Sequence, residues 1–243
     1  MILANVRASL GRDDAQLALR LIARGSSREL EGAEALLRDS GVDALLDDPR
    51  LLAALIEAPL GAHASLPLFC YVVVRNALRR AGEQDRVLAD YTAAILLHFG
   101  LRGRSRRIAS SDDEEYATLA AMMDAVDGPD ARRNFLVRAH LGNYALWLSG
   151  VFPDSIEHRR WRRGGPDLDY YEDLGRRGFQ LAAEHRLAHE HGLDALYHAA
   201  AARFAVMRLA LNGVSDALLF PHHHSLDRLM RQVRDETRFR LGS

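Results

Sequence analysis

Apolar residues along the chain recur three and four positions apart, and no stretch alternates apolar with polar between hairpin-type turns. That spacing predicts helices over 13–24, 27–39, 49–58, 66–81, 83–99, 112–127, 130–149, 154–163, 168–191, 193–219 and 225–240. Start and stop signals agree with it. Ser26 to Glu29 and Ser111 to Glu114 match the capping box, in which serine and glutamate each satisfy an orphan backbone donor. Pro49 after Asp48 and Pro129 after Gly128 sit where proline is favoured as a first helical residue. Gly41, Gly82, Gly100, Gly128, Gly150 and Gly192 fall where helical patterns stop.

The fold class implied is all-α: one compact domain of about 9–11 helices over residues 1–243, with no significant sheet and at least about 60% helix. A sub-division is readable near 100–111, where arginines and serines interrupt the apolar pattern; Gly164-Gly165-Pro166 forms a shorter hinge. Apolar helical stripes nominate Phe69, Cys70, Val73, Leu96, Phe135, Leu146, Leu181 and Phe204 as core. Gly175 and Gly178 would let a neighbouring helix approach closely.

Composition narrows the chemistry. The 243 residues carry 32 basic and 33 acidic side chains, a net charge of −1 that marks neither a general polyanion binder nor an acid-rich protein. No lysine occurs, which excludes a Schiff-base lysine and a Walker A loop. The single cysteine, Cys70, excludes a disulfide framework, and its apolar setting disfavours a nucleophilic thiol. Gly-x-Gly-x-x-Gly and Gly-x-Ser-x-Gly are both absent. The longest apolar runs, such as Leu66 to Val74, fall short of the roughly 20 residues that cross a bilayer. The first residues, Met1 to Arg7, lack a secretory apolar stretch. A cytoplasmic protein without membrane association is expected.

Four groups of residues invite a chemical reading. On a helix with about 100° per residue, Arg133, His140 and Tyr144 fall within roughly 40° of one another. An arginine, an imidazole and a phenol in line could meet charge on a phosphate and move a proton. The segment Arg133-Asn134-Phe135-Leu136-Val137-Arg138-Ala139-His140 resembles the Arg-x(4–6)-His motif of HEPN-type ribonucleases, helical bundles in which a polar residue often follows the arginine. That resemblance covers eight residues and implies metal-independent RNA cleavage by Arg133 and His140. Val137 and Trp147 share the face, however, and point it inward.

Histidines form the second group: His185 and His189, four apart on the predicted 168–191 helix, would project to one side and could hold a metal with a third ligand. Neither His-Glu-x-x-His nor a repeated Glu-x-x-His accompanies them. Arginines form the third. Arg102, Arg104, Arg106 and Arg107 occupy the central loop, and Arg159, Arg160, Arg162 and Arg163 surround Trp161 as a candidate anion site. Acidic residues follow each cluster, Asp112 to Glu115 and then Asp167, Asp169, Glu172 and Asp173, so local neutralisation is expected. The fourth group is aromatic. Four of the seven tyrosines and both tryptophans lie between 144 and 197, so a ligand pocket would be walled by Tyr144, Trp147, Tyr170 and Tyr171, between the 130–149 and 168–191 helices.

The helix over 225–240 carries Leu226, Leu229, Met230 and Val233 on one face, with Arg228, Arg231, Arg234 and Arg238 opposite. It is expected to dock by its apolar side and expose its basic side. No catalytic constellation outweighs a structural role, so the expectation is a non-catalytic helical interaction or regulatory module. Its partner would be another protein rather than nucleic acid, and no cofactor is expected. The competing class is an enzyme, either the HEPN-like ribonuclease or a metal-dependent helical bundle.

Overall fold

The computed structural model describes residues 1–100, 119–124, 126 and 130–241. It is 81% helical, in 13 α-helices, with no strand among the described residues. The helices gather into two compact units, Ile2–Leu101 and Arg102–Ser243, the latter also counting Met1. The central arginine cluster, Arg102 to Arg107, and the Ser111 to Glu114 capping box lie outside the described residues.

The first unit holds α1 (Arg12–Ala23), α2 (Ser27–Leu46), α3 (Pro49–Glu57), α4 (Leu66–Arg80) and α5 (Arg86–Gly100). Caps set the starts: the Ser26 hydroxyl accepts from Glu29 N, Asp48 from Arg50 N ahead of Pro49, and Ser65 from Leu68 N. α2 runs past its predicted stop, because the chain kinks at Gly41 (φ 78°) and resumes its helix to Leu46. The core contains Leu21, Leu45, Leu51, Leu68, Tyr71, Val73, Tyr91 and Ile95. Cys70 is buried with its thiol pushed up to about 11 by desolvation, which makes it inert. Phe69 and Leu96 are only half-buried, since the inward faces of α4 and α5 centre on Tyr71 and Tyr91 instead.

Arg75 enters this unit with its partners in place. Arg75, buried, donates from Nε to Asp47 Oδ1 (2.8 Å) and from Nη1 to the Gln84 carbonyl (2.9 Å). Arg86 reaches the other Asp47 oxygen at 2.8 Å. Burial pushes the Asp47 carboxyl up, but the hydrogen bonds from Arg75 and Arg86 outweigh it and hold the group below the usual carboxylate range.

The second unit comprises α6 (Leu119–Asp124), α7 (Ala131–Val151), α8 (Pro153–Arg163), α9 (Leu168–Ala183), α10 (Arg186–Glu190), α11 (Asp194–Ala202), α12 (Phe204–Val214) and α13 (Leu226–Leu241), with a π-helical turn at Ser215–Leu219. α7 is its axis, started by Asp130, whose carboxylate accepts from Arg132 N and Arg133 N. From Ala139 to Leu146 every residue of α7 is buried, so this helix has neighbours on all sides. α9 crosses it at near-backbone contact. A Cβ on Gly178 would lie 2.7 Å from Gly142 N, and one on Gly175 would lie 2.2 Å from the Phe204 ring. Gly150 is likewise a packing residue inside α7 rather than a helix stop, its Cβ position 2.7 Å from Leu211 Cβ.

Two predicted helices divide. The 168–191 helix breaks at Glu184–His185, where His185 turns extended (ψ 137°) and its Nδ1 accepts from Leu187 N at 3.2 Å. The 193–219 helix breaks at Arg203. Phe135, Leu146 and Phe204 are core, whereas Leu181 is half-buried because Ala182 and Ala183 fill the inward positions beside it.

The docking of α13 reverses the expectation drawn from its wheel. Leu226, Leu229, Met230 and Val233 are 71%, 57%, 54% and 56% exposed, while Arg228 and Arg231 are 6% and 2%. The reason is what the helix meets. Asp154 accepts from Arg228 Nε (2.8 Å) and Arg231 Nε (3.1 Å), Asp216 from Arg231 Nη2 (2.8 Å), and Glu157 from Arg234 Nη2 (2.8 Å). A bed of carboxylates selects the basic face. Arg238 lies beyond the residues whose side chains are described.

Candidate functional site

The Arg133, His140 and Tyr144 series does share one helix, but its members sit at different depths. Arg133 is half-buried in the first turn of α7, and His140, two turns on, is buried. The His140 ring lies nearly parallel to Tyr144 at 5.9 Å between centroids. Tyr144 in turn stacks on Trp147 at 6.0 Å, Trp147 meets Phe152 edge-on at 5.0 Å, and Phe152 lies 5.9 Å from Phe220. The result is an aromatic ladder along α7 and across its C-terminal end.

That ladder opens on a cavity of about 360 Å³, large enough for a small ligand. Val151, Phe152, Pro153 and Phe220 form its apolar wall, and Asp154, His158, His223 and Arg228 its polar one. None of Arg133, His140, Tyr144, Trp147, Tyr170 and Tyr171 lines it. Tyr170 and Tyr171 pair edge-on at 5.9 Å, with Tyr170 exposed and Tyr171 buried. At the Gly142–Gly178 crossing the two helices that were to flank a ligand leave no room for one.

His185 and His189 belong to different structural roles. His185 caps α10, and its ring stacks on Phe135 at 5.4 Å between centroids. Burial, followed by the Arg138 and Arg186 charges, holds its pKa below the ordinary 6.5. His189, outside that cap, approaches Asp194 at 3.3 Å. No group of three or more metal-ligating side chains occurs among the described residues.

The arginines around Trp161 are arranged on the last turns of α8. Arg160 lies over the Trp161 ring, 5.3 Å from its centroid, and approaches Glu157 and Asp167 at 3.8 and 3.9 Å. Arg159 donates only to the Ser155 carbonyl, and Arg162 and Arg163 make no ion pair among the described residues. Local neutralisation reaches Arg160 but not Arg159, Arg162 or Arg163, and two of the acidic residues have further roles. Asp167 caps α9 through Tyr170 N, and Glu172 accepts from buried Arg208 and from Arg176. With Trp161 63% exposed, Arg159, Arg162 and Arg163 leave this end of α8 only partly compensated.

The feature that sequence reasoning missed is the outward apolar face of α13. Its signal lay in the partner surface: Asp154, Glu157 and Asp216 on neighbouring segments, each spaced to take an arginine of that helix. No helix among the described residues is long and apolar enough to cross a membrane. Neither family models, curated proteins nor solved structures gave a match to the chain.

Proposed function

We propose that the chain is a non-catalytic helical interaction module of the cytoplasm that takes a helix of a protein partner against α13. One observation carries this reading: Leu226, Leu229, Met230 and Val233, at i, i+3, i+4 and i+7, face solvent as a continuous stripe. A solvent-facing stripe of four large apolar side chains at helix–helix spacing is what a docking groove or seam needs. The burial of His140 against Tyr144, and the use of His185 as a cap, support this reading over the ribonuclease and metal-enzyme alternatives. A photo-crosslinking amino acid at Met230 tests it in the cells that make the protein. Discrete adducts of defined mass are expected; a probe at Met230 that yields no protein adduct would overturn the reading.

A second reading has its own support in Arg159, Arg162 and Arg163 beside exposed Trp161: a phosphate-bearing polymer, single-stranded RNA foremost. Fluorescence anisotropy with labelled single-stranded RNA should then show binding that weakens with salt and is lost in Arg162→Glu/Arg163→Glu. Salt-insensitive binding, or binding unchanged in that variant, counts against it.

A further inference from the structure

The exposed stripe has the geometry of a coiled-coil seam. With Leu226 and Val233 at d, Met230 and Thr237 fall at a, Leu229 and Glu236 at g, and Asp227 and Arg234 at e. Of the positions that remain, Arg228, Arg231 and Asp235 are buried and tie the helix to its own unit, and exposed Gln232 donates to Asp216. Leu226, Leu229, Met230 and Val233 of the seam are therefore left facing solvent, and its e flank carries information about what covers it.

Charge decides the occupant. Asp227 makes no ion pair among the described residues. Arg234 gives Nη2 to Glu157 and keeps Nε and Nη1 for a further acceptor. The two opposite charges sit seven residues apart on the same flank. In an antiparallel helix pair the e flank of one helix faces the e flank of the other, so Asp227 of each copy would oppose Arg234 of its mate. A parallel pair would set Arg234 against Leu229, so neither Asp227 nor the Nε and Nη1 of Arg234 would gain a partner from the mate. We infer that the helix received by α13 is α13 of a second copy of this chain, packed antiparallel about a two-fold axis that passes beside Met230 on the exposed face. Such an interface is isologous, the same patch serving both sides, which is the commonest way soluble chains pair. This inference rests on the reading of α13 as a docking face and names its occupant.

A seam of two heptads is short, so the dimer belongs at the small end of specific interfaces, about 1,200 Å² in total. Sedimentation velocity on the full chain should show a reversible monomer–dimer equilibrium that shifts with protein concentration. Leu229→Glu should abolish it. Asp227→Arg and Arg234→Asp should each weaken it by about tenfold or more, since two attractive pairs become two repulsive ones. Mixing those two variants should restore a dimer, because each copy then supplies the charge that the other lacks. Circular dichroism guards the Arg234→Asp arm, in which the new carboxylate faces Glu157; Asp227→Arg and Leu229→Glu alter exposed or half-exposed flanks and carry the test without it. A wild type that stays monomeric at every concentration overturns the inference, as does a dimer that survives both Asp227→Arg and Leu229→Glu. If the chain is monomeric while Met230 still crosslinks to a different protein, the occupant is wrong and the docking face stands. If Met230 crosslinks to nothing, both fall.

Discussion

At the scale of single residues, His185 shows how local chemistry overrides a helical pattern. Its ring nitrogen accepts from Leu187 N, so the chain starts a new helix there instead of continuing α9. That cap needs an unprotonated Nδ1. Burial and the nearby Arg138 and Arg186 charges favour the same neutral form and hold the pKa below 6.5. The sign follows directly. The unfolded chain takes up a proton at this histidine at a higher pH than the folded chain does. Its contribution to stability is therefore complete above 6.5 and is lost as pH falls from there towards the lower folded value. His185→Asn keeps a side-chain acceptor for the cap but removes the titration. Thermal melts from neutral to mildly acidic pH should fall less steeply for His185→Asn than for the wild type. Parallel melting curves across that range would show that the cap tolerates the charged ring.

At the scale of elements, the helices themselves were readable and their partners were not. Ser26, Asp48 with Pro49, and the apolar spacing of α4 and α7 mark their own boundaries, because caps and periodicity act within a few residues. The division at His185 was not readable, since histidine is no usual cap and no glycine or proline stands beside it. Half of the candidate aromatic site was legible in the same sense: Tyr144 and Trp147 do stack, four and three residues along one helix from His140 and Tyr144. The close crossing of α7 and α9 depends on Gly142 meeting Gly178, a contact between segments that no local pattern encodes. α13 makes the point most sharply. Its wheel separates apolar from basic faces, but a wheel says nothing of which face the neighbours want. Asp154 and Glu157 on α8 and Asp216 on the π-turn together outweigh the hydrophobic preference that four exposed apolar side chains would otherwise express.

At the scale of the whole molecule, a chain with 32 basic side chains and no lysine has placed its cations as arginine throughout, and several of them inside. The guanidinium fork suits this, since it can donate to several acceptors at once from one buried position. Arg208 is the extreme case at 2% exposure. From α12 it reaches Glu172 on α9 through Nε, Asp235 on α13 through Nη1 and Nη2 (3.2 and 3.0 Å), and Asn212 through Nη1 at 2.7 Å. Asn212 in turn donates to the Ser149 and Gly150 carbonyls of α7 at 2.8 Å each. One side chain thus joins α9, α12 and α13, and its neighbour extends the join to α7. Truncating it takes from two buried carboxylates their closest cation, leaving Glu172 with Arg176 at 3.2 Å and Asp235 with Arg231 at 3.9 Å, which costs more than the ion pairs themselves contribute. Arg208→Met should lower the urea unfolding free energy by about 3–5 kcal/mol. Arg208→Lys should recover only part of that, because a single ammonium cannot span Glu172 and Asp235 together. Adding Glu172→Gln and Asp235→Asn to Arg208→Met should bring stability back towards the wild type, since the penalty lies in the stranded charges. If Arg208→Met alone unfolds at the wild-type midpoint, the two carboxylates reach water without it, and the buried network does not hold α13 in place.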